Sequence, residues 1–146
     1  MAEPSAAPAD GLAAGLAAEY ALIYAYGVAG AKIDDDGALA LAGDAEYSHR
    51  DLRDELTEYM AGIGQIPPPP EAAYTLADPM GDESAAIAAL VKLEDATAVT
   101  WRTVVSATTG DDRRRALDGL GNAASRAALW RRWLGGLGTT TAFPGV

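Results

Sequence analysis

Four consecutive prolines, Pro67-Pro68-Pro69-Pro70, constrain this chain more than any other feature. They remove four successive backbone donors and hold the chain in extended polyproline geometry. No helix runs through them. On both sides, apolar residues recur at alternating steps of three and four, the spacing of amphipathic helices. The first stripe is Leu12, Leu16, Glu19, Ile23, Tyr26, Gly30 and Ile33, with Asp10 as its cap. Asp34-Asp35-Asp36-Gly37 makes an acidic turn and the next cap. The second stripe, over about Asp36 to Gly62, is Leu39, Ala42, Glu46, His49, Arg53, Leu56 and Met60. Asp82 caps a third, with Ile87, Leu90, Glu94, Thr97, Trp101 and Val104. After Thr108-Thr109-Gly110, a fourth helix is predicted over about Asp111 to Leu134. Its apolar members include Leu117, Leu120, Ala124, Ala127, Leu129, Trp130, Trp133 and Leu134.

The pattern predicts an all-α fold of two helical hairpins. The segment Ile63 to Gly81 spans roughly 60 Å when extended, at about 3.1 Å per residue. A helix of about 26 residues is roughly 39 Å long. The segment can therefore travel the length of a bundle, as a crossover that leaves the second and third helices parallel. The chain's 146 residues suffice for a single domain with a real core. Residues 1–9, small and Pro-containing, are expected to be disordered, and 10–146 to form the bundle.

Charge and composition narrow the partners. A net charge of −10 opposes nucleic acid and anionic membrane alike. With no cysteine there is no disulfide framework, thiolate metal site or thiol nucleophile. Met1 to Asp10 has no basic start and no apolar run, unlike a signal peptide. No uninterrupted apolar stretch approaches the roughly 18 residues of a membrane span. A cytoplasmic protein is expected.

Polar residues on the apolar stripes need explaining. Glu46 and the only histidine, His49, stand three residues apart and leave the same helix face. Glu19 and Glu94 occupy matching positions on the first and third stripes. A buried charge is expensive unless it is partnered. With parallel second and third helices, all four residues come to one height within about a turn. The same ruler on the fourth helix reaches residue 124, beside Asn122, Ser125 and Arg126.

This arrangement resembles the ferritin-like superfamily, whose bundles hold metal with one Glu from each of two helices and a Glu-x-x-His pair from each of the others. Glu19 and Glu94 match the lone glutamates, and Glu46-Tyr47-Ser48-His49 matches one pair. The second pair is missing: Asn122-Ala123-Ala124-Ser125 has the spacing without the ligands. Over nearly its whole length the chain is similar to DUF4439, an actinobacterial family of ferritin-like domains without an assigned activity. The shared features are Ala18-Glu19-Tyr20, Tyr24-Ala25-Tyr26-Gly27, His49-Arg50, the proline run, Leu93-Glu94-Asp95 and the closing Ala142-Phe143-Pro144-Gly145.

The resemblance implies a candidate metal set of Glu19, Glu46, His49 and Glu94, with Fe or Mn as the ions such ligands suit. Two outcomes stand. In one, the centre is degenerate and the protein non-catalytic, without a cofactor: Arg53 and Arg126 neutralise the carboxylates, His49 donates to a glutamate, and Tyr24 or Tyr26 supplies a hydroxyl. In the other, one bound Fe or Mn serves an oxidase or iron-handling role. A third class is a small-molecule binder whose polar interior is lined by Tyr24, Tyr26 and Trp101.

Other signals carry less. Ser48, His49 and Asp51 cannot form a hydrolase triad, because neighbouring helix residues point different ways. Arg113-Arg114-Arg115 opens a helix and reads as a solvated face. Met60 and Met80 have no context as haem ligands, and the proline run is a spacer before it is a peptide ligand. Trp130, Trp133, Leu134 and Phe143 near one bundle end suggest a homodimer surface.

Overall fold

The computed structural model describes residues 8–135 and 143–146, with side chains from residue 11. Every regular element among them is an α-helix: α1 (Pro8–Gly30), α2 (Asp36–Gly62), α3 (Glu83–Ala107) and α4 (Gly110–Trp133). The predicted limits of α2, α3 and α4 hold to within two residues, while α1 ends at Gly30, three residues before the last member of its expected stripe, Ile33. α1 starts at Pro8, ahead of the expected cap Asp10; proline suits a first helical turn, where no amide partner is required. The disorder expected for the N-terminus lies, for residues 1–7, outside the described residues.

Local chemistry sets the helix starts. Asp35 accepts from the amides of Gly37 and Ala38 at 2.8 and 3.0 Å, capping α2. Asp82 accepts from the Ala85 amide at 2.8 Å, capping α3. Glu83 Oε2 also accepts from the amides of Asp34 and Asp35, at 2.6 and 2.8 Å. One carboxylate thus ties the start of α3 to the turn before α2. At the other end of α2, Tyr59 donates to Asp112 at 2.5 Å, and Arg115 lies over the Tyr59 ring, 4.0 Å from its centroid.

α1 packs broadly on α2 and α3, and α3 on α4; α2 and α4 barely touch. The core falls into two apolar clusters. One joins Leu22, Tyr26, Ile33, Met80, Ile87, Leu90 and Trp130. The other joins Leu12, Leu16, Leu52, Leu56, Met60, Trp101 and Val104. Along α1, α2 and α3, the residues between the clusters include Glu19, His49 and Glu94, all buried.

The buried stripe of α2 is Ala38, Ala42, Ala45, His49, Leu52, Leu56 and Met60. It lies one residue away from the expected one at three points, and Leu39, Glu46 and Arg53 leave the core as a result. α4 also differs. Its buried residues are Ala116, Gly119, Ala123, Ala127 and Trp130, while Leu117, Leu129, Trp133 and Leu134 are exposed. Gly11–Gly30 has the length and mean hydropathy, 1.4, to cross a membrane, although Glu19 interrupts its apolar run. Glu19 is its only charge, and its Leu12, Leu16, Leu22 and Tyr26 are spent on the core.

Small residues decide how closely α1, α3 and α4 approach. The Trp101 ring lies between Gly15 of α1 and Gly119 of α4. A Cβ at Gly119 would stand 2.5 Å from Trp101 Cε2, and one at Gly15 would overlap the far edge of the ring. Nothing lies within 4 Å of a Cβ at Gly43, which is exposed in mid-α2. Gly15→Ala and Gly119→Ala will each lower stability by about 1–3 kcal/mol through overpacking, in spite of alanine's better helix propensity. Gly43→Ala will raise it by up to about 1 kcal/mol. Urea midpoints at unchanged slope measure all three.

Candidate functional site

Three helices each deliver one ionisable side chain to the same point. Glu19 of α1, His49 of α2 and Glu94 of α3 are 1%, 3% and 0% exposed. The imidazole bridges the two carboxylates: Nδ1 lies 2.6 Å from Glu19 Oε2 and Nε2 lies 2.9 Å from Glu94 Oε1. Each carboxylate has a further neutral donor. Trp101 Nε1 donates to Glu19 Oε1 at 2.8 Å. The Tyr26 hydroxyl donates to Glu94 Oε1 at 2.6 Å and itself accepts from Trp130 Nε1 at 2.8 Å. The chain Trp101–Glu19–His49–Glu94–Tyr26–Trp130 is continuous across all four helices.

Burial alone would lower the His49 pKa, but the hydrogen bonds and charges of Glu19 and Glu94 override it and raise the value to about 9. The ring is therefore an imidazolium at neutral pH, with both N–H groups donating. Burial pushes Glu94 up from the usual carboxylate range, against the pull of His49 and Tyr26. Burial also pushes the Tyr26 phenol well above its ordinary value, with the Glu94 charge adding to it. Glu94 Oε2 is buried with no partner among the described residues.

The other expected site residues lie elsewhere. Glu46 is part-exposed and pairs with Arg50 at 2.6 Å, on the outside of α2. Its neighbour Ala45 takes the buried position, so the Glu46–His49 pair is split between surface and core. Arg53 pairs with the adjacent Asp54 at 2.7 Å and neutralises no buried carboxylate. Asn122 and Ser125 are exposed beside the gap between α2 and α4. Arg126 is half-buried and donates to Ser48 Oγ at 2.5 Å; its charge acts on Tyr26 from a distance. Of the two tyrosines, Tyr26 enters the centre, whereas Tyr24 lies outside against Tyr74, ring centroids 5.6 Å apart. Tyr24, Tyr26 and Trp101 therefore share no surface.

The expected list omits the two indoles, Trp101 and Trp130. The sequence places Trp101 on an apolar stripe and in the lining of a small-molecule interior, and Trp130 on a dimer surface, neither as a hydrogen-bond donor to a carboxylate or tyrosine. The signal for Trp101 was its place on the same stripe as Glu94, seven residues on; a buried indole N–H needs an acceptor. Trp130 is fully buried, which removes it from the expected dimer surface.

These residues do not fit the two-ion centre that the ferritin-like resemblance implies. Metal ligation needs an imidazole lone pair, and both ring nitrogens of His49 face carboxylate oxygens as donors. Trp101 and Tyr26 direct N–H and O–H groups at the carboxylates. Toward the interior α4 contributes Ala123, Ala127 and Trp130, none of them a ligand. Among the described residues no group of three or more His, Asp or Glu side chains is arranged around a common ion position.

Comparison with known proteins supports one assignment. The chain matches a crystal structure of a conserved hypothetical protein, Rv2844, from Mycobacterium tuberculosis, with 32% identity and a TM-score of 0.82. The match covers 88% of this chain and 98% of that one. No curated protein matches. The model of the domain of unknown function DUF4439 matches residues 11–146. The chain belongs to the DUF4439 family.

Proposed function

We propose that this protein is a non-catalytic, cytoplasmic member of the ferritin-like superfamily. In this reading its former metal position is occupied by a carboxylate–imidazolium–carboxylate lock. The observation that carries it is the double engagement of His49, at 2.6 and 2.9 Å. An imidazolium placed where an ion would sit offsets one of the two buried carboxylate charges, and the Trp101 and Tyr26 donors stabilise what remains. The superfamily reading draws support from the sharing of one centre by α1, α2 and α3. A long crossover through the proline run is supported by Glu83, which joins the starts of α2 and α3. The role left to such a bundle is structural or interactive. A homodimer through Trp133, Leu134 and Phe143, all exposed, belongs to the same reading.

The second reading is one bound Fe or Mn. It draws on a single observation, the unpartnered Glu94 Oε2, and requires His49 to release a carboxylate first. Elemental analysis of protein grown with added iron and manganese separates the two. The lock predicts far less than one ion per chain, and a chelator will leave the melting temperature unchanged. Metal near one equivalent overturns it.

The lock also predicts how stability depends on pH. The His49 pKa rises from 6.5 to about 9 on folding. Its contribution is then complete below about pH 6.5 and is lost as pH rises through about 9. The raised Glu94 pKa acts in the same direction, since both groups bind protons more tightly in the native state. Urea denaturation from pH 6 to 9.5 will show falling stability, by a few kcal/mol in all.

His49→Leu will cost about 3–5 kcal/mol by stranding two buried carboxylates. Adding Glu19→Gln and Glu94→Gln to it will recover part of that loss. The neutral amides keep acceptors for Trp101 and Tyr26 without burying charge. Denaturation of the single and triple variants checks the sign of the coupling.

A further inference from the structure

The proline run between α2 and α3 is held at both ends. Before it, the Gln65 amide donates to the Met60 carbonyl at 2.9 Å. After it, the Glu71 amide donates to the Tyr74 hydroxyl at 3.0 Å, and the Tyr74 ring packs against Tyr24. Leu76 and Met80 then join the core, and Asp78 pairs with Lys92 at 3.0 Å. Between these anchors Ile66 is 93% exposed, more than any other large apolar side chain among the described residues. A polyproline helix repeats every three residues, so Ile66 and Pro69 share one edge. Both are exposed, whereas Pro67 and Pro68 are half-buried. A crossover needs extended chain; it does not need a bare isoleucine.

The backbone of this edge is equally unused. Proline has no amide to donate, and among the described residues no backbone amide donates to a carbonyl of Ile66 to Pro70. The flanks are acidic: from Asp54 to Val91 the chain has seven Asp or Glu residues and no Lys or Arg. Proline-rich segments of this form dock in aromatic-lined grooves, because a preformed extended helix loses little entropy on binding. We propose that the Ile66–Pro69 edge is a docking ligand for a protein partner with an aromatic-lined, basic-rimmed groove. Its rings take Ile66 and the prolines, their N–H and O–H tips take the carbonyls, and its rim matches the acidic flanks. The proposal rests on the interactive role given to the bundle above, and its failure leaves the metal analysis of the centre unaffected.

The probes are isolated polyproline-reading domains, one each of the SH3, WW and EVH1 classes. Each is titrated into the full chain by calorimetry, with decaproline as competitor. The expected result is saturable one-to-one binding by at least one of them, displaced by decaproline. Ile66→Ser, at an exposed position, will weaken it at least tenfold with an unchanged melting temperature, and Pro69→Ala will weaken it likewise. Leu117→Ser, which removes an exposed leucine of α4, will leave it unchanged. No binding to any of the domains, wild-type affinity in Ile66→Ser, or an equal loss in Leu117→Ser would each overturn the proposal. So would self-association of the chain that Ile66→Ser abolishes, because the occupant would then be a second copy.

Discussion

A single imidazolium between two buried carboxylates holds α1, α2 and α3 in register. Apolar contacts have no preferred direction, whereas the bonds at 2.6 and 2.9 Å specify both distance and rotation. Sliding α1 along α2 by one turn, about 5.4 Å, would bury Glu19 without its partner. The cost of an uncompensated buried charge makes that arrangement inaccessible. Two apolar clusters, each adaptable alone, are locked into one alignment by the polar layer between them.

The indoles carry this order outward. Trp101 donates to Glu19 and belongs to one cluster; Trp130 donates to Tyr26 and belongs to the other. Each is too large for a closely packed bundle unless a neighbour gives way. At Trp101 the neighbours are Gly15 and Gly119, so a hydrogen bond in the centre dictates glycine on two other helices. The alanines at the buried positions of α4 follow the same logic. Bulk is concentrated in a few aromatic rings with polar tips, and the helices around them are stripped to small side chains.

That distribution explains what the sequence revealed and what it hid. The stripe of α3 was legible because large residues mark it, Ile87, Leu90 and Trp101 among them; that of α1 was legible at Leu12, Leu16 and Tyr26, but Leu22 and Ala29 are buried where Ile23 and Gly30 were expected. Glu19 and Glu94 stand out against such a background. On α2 the buried side is marked mostly by alanine, at Ala38, Ala42 and Ala45. The more hydrophobic Leu39 pulled the expected stripe one residue round, carrying Glu46 and Arg53 with it. The heptad spacing of Ala38, Ala45 and Leu52 held the right answer, but alanine is common on both faces of a helix. On α4, Leu117 and Leu129 proved to be surface residues and Leu120 only partly buried, while the core positions apart from Trp130 were glycine and alanine. Periodicity weighted by hydrophobicity fails where close packing selects for smallness. His49 was legible in either register, because it lies on the true stripe and the expected one alike.

The sparse contact between α2 and α4 then has a physical reason. In a bundle with a ligand pair on its fourth helix, the ions would draw that helix onto the other three. Here α4 offers alanines, and its links to the centre are two neutral indole contacts: Trp101 resting on Gly119, and Trp130 bonded to Tyr26. Neither supplies charge. The buried charges, one imidazolium and two carboxylates, all come from α1, α2 and α3, and α4 is held mainly by its packing on α3. What spans the gap to α2 is mostly polar and peripheral: Arg126 to Ser48, Arg115 to Glu55 and Tyr59 to Asp112, with Trp133 against Gly37 at one end. Such bonds at a wet boundary are worth little individually. A fourth helix that brings no charge to the centre can vary its outer face freely, and there the exposed positions carry leucine, arginine and aspartate alike.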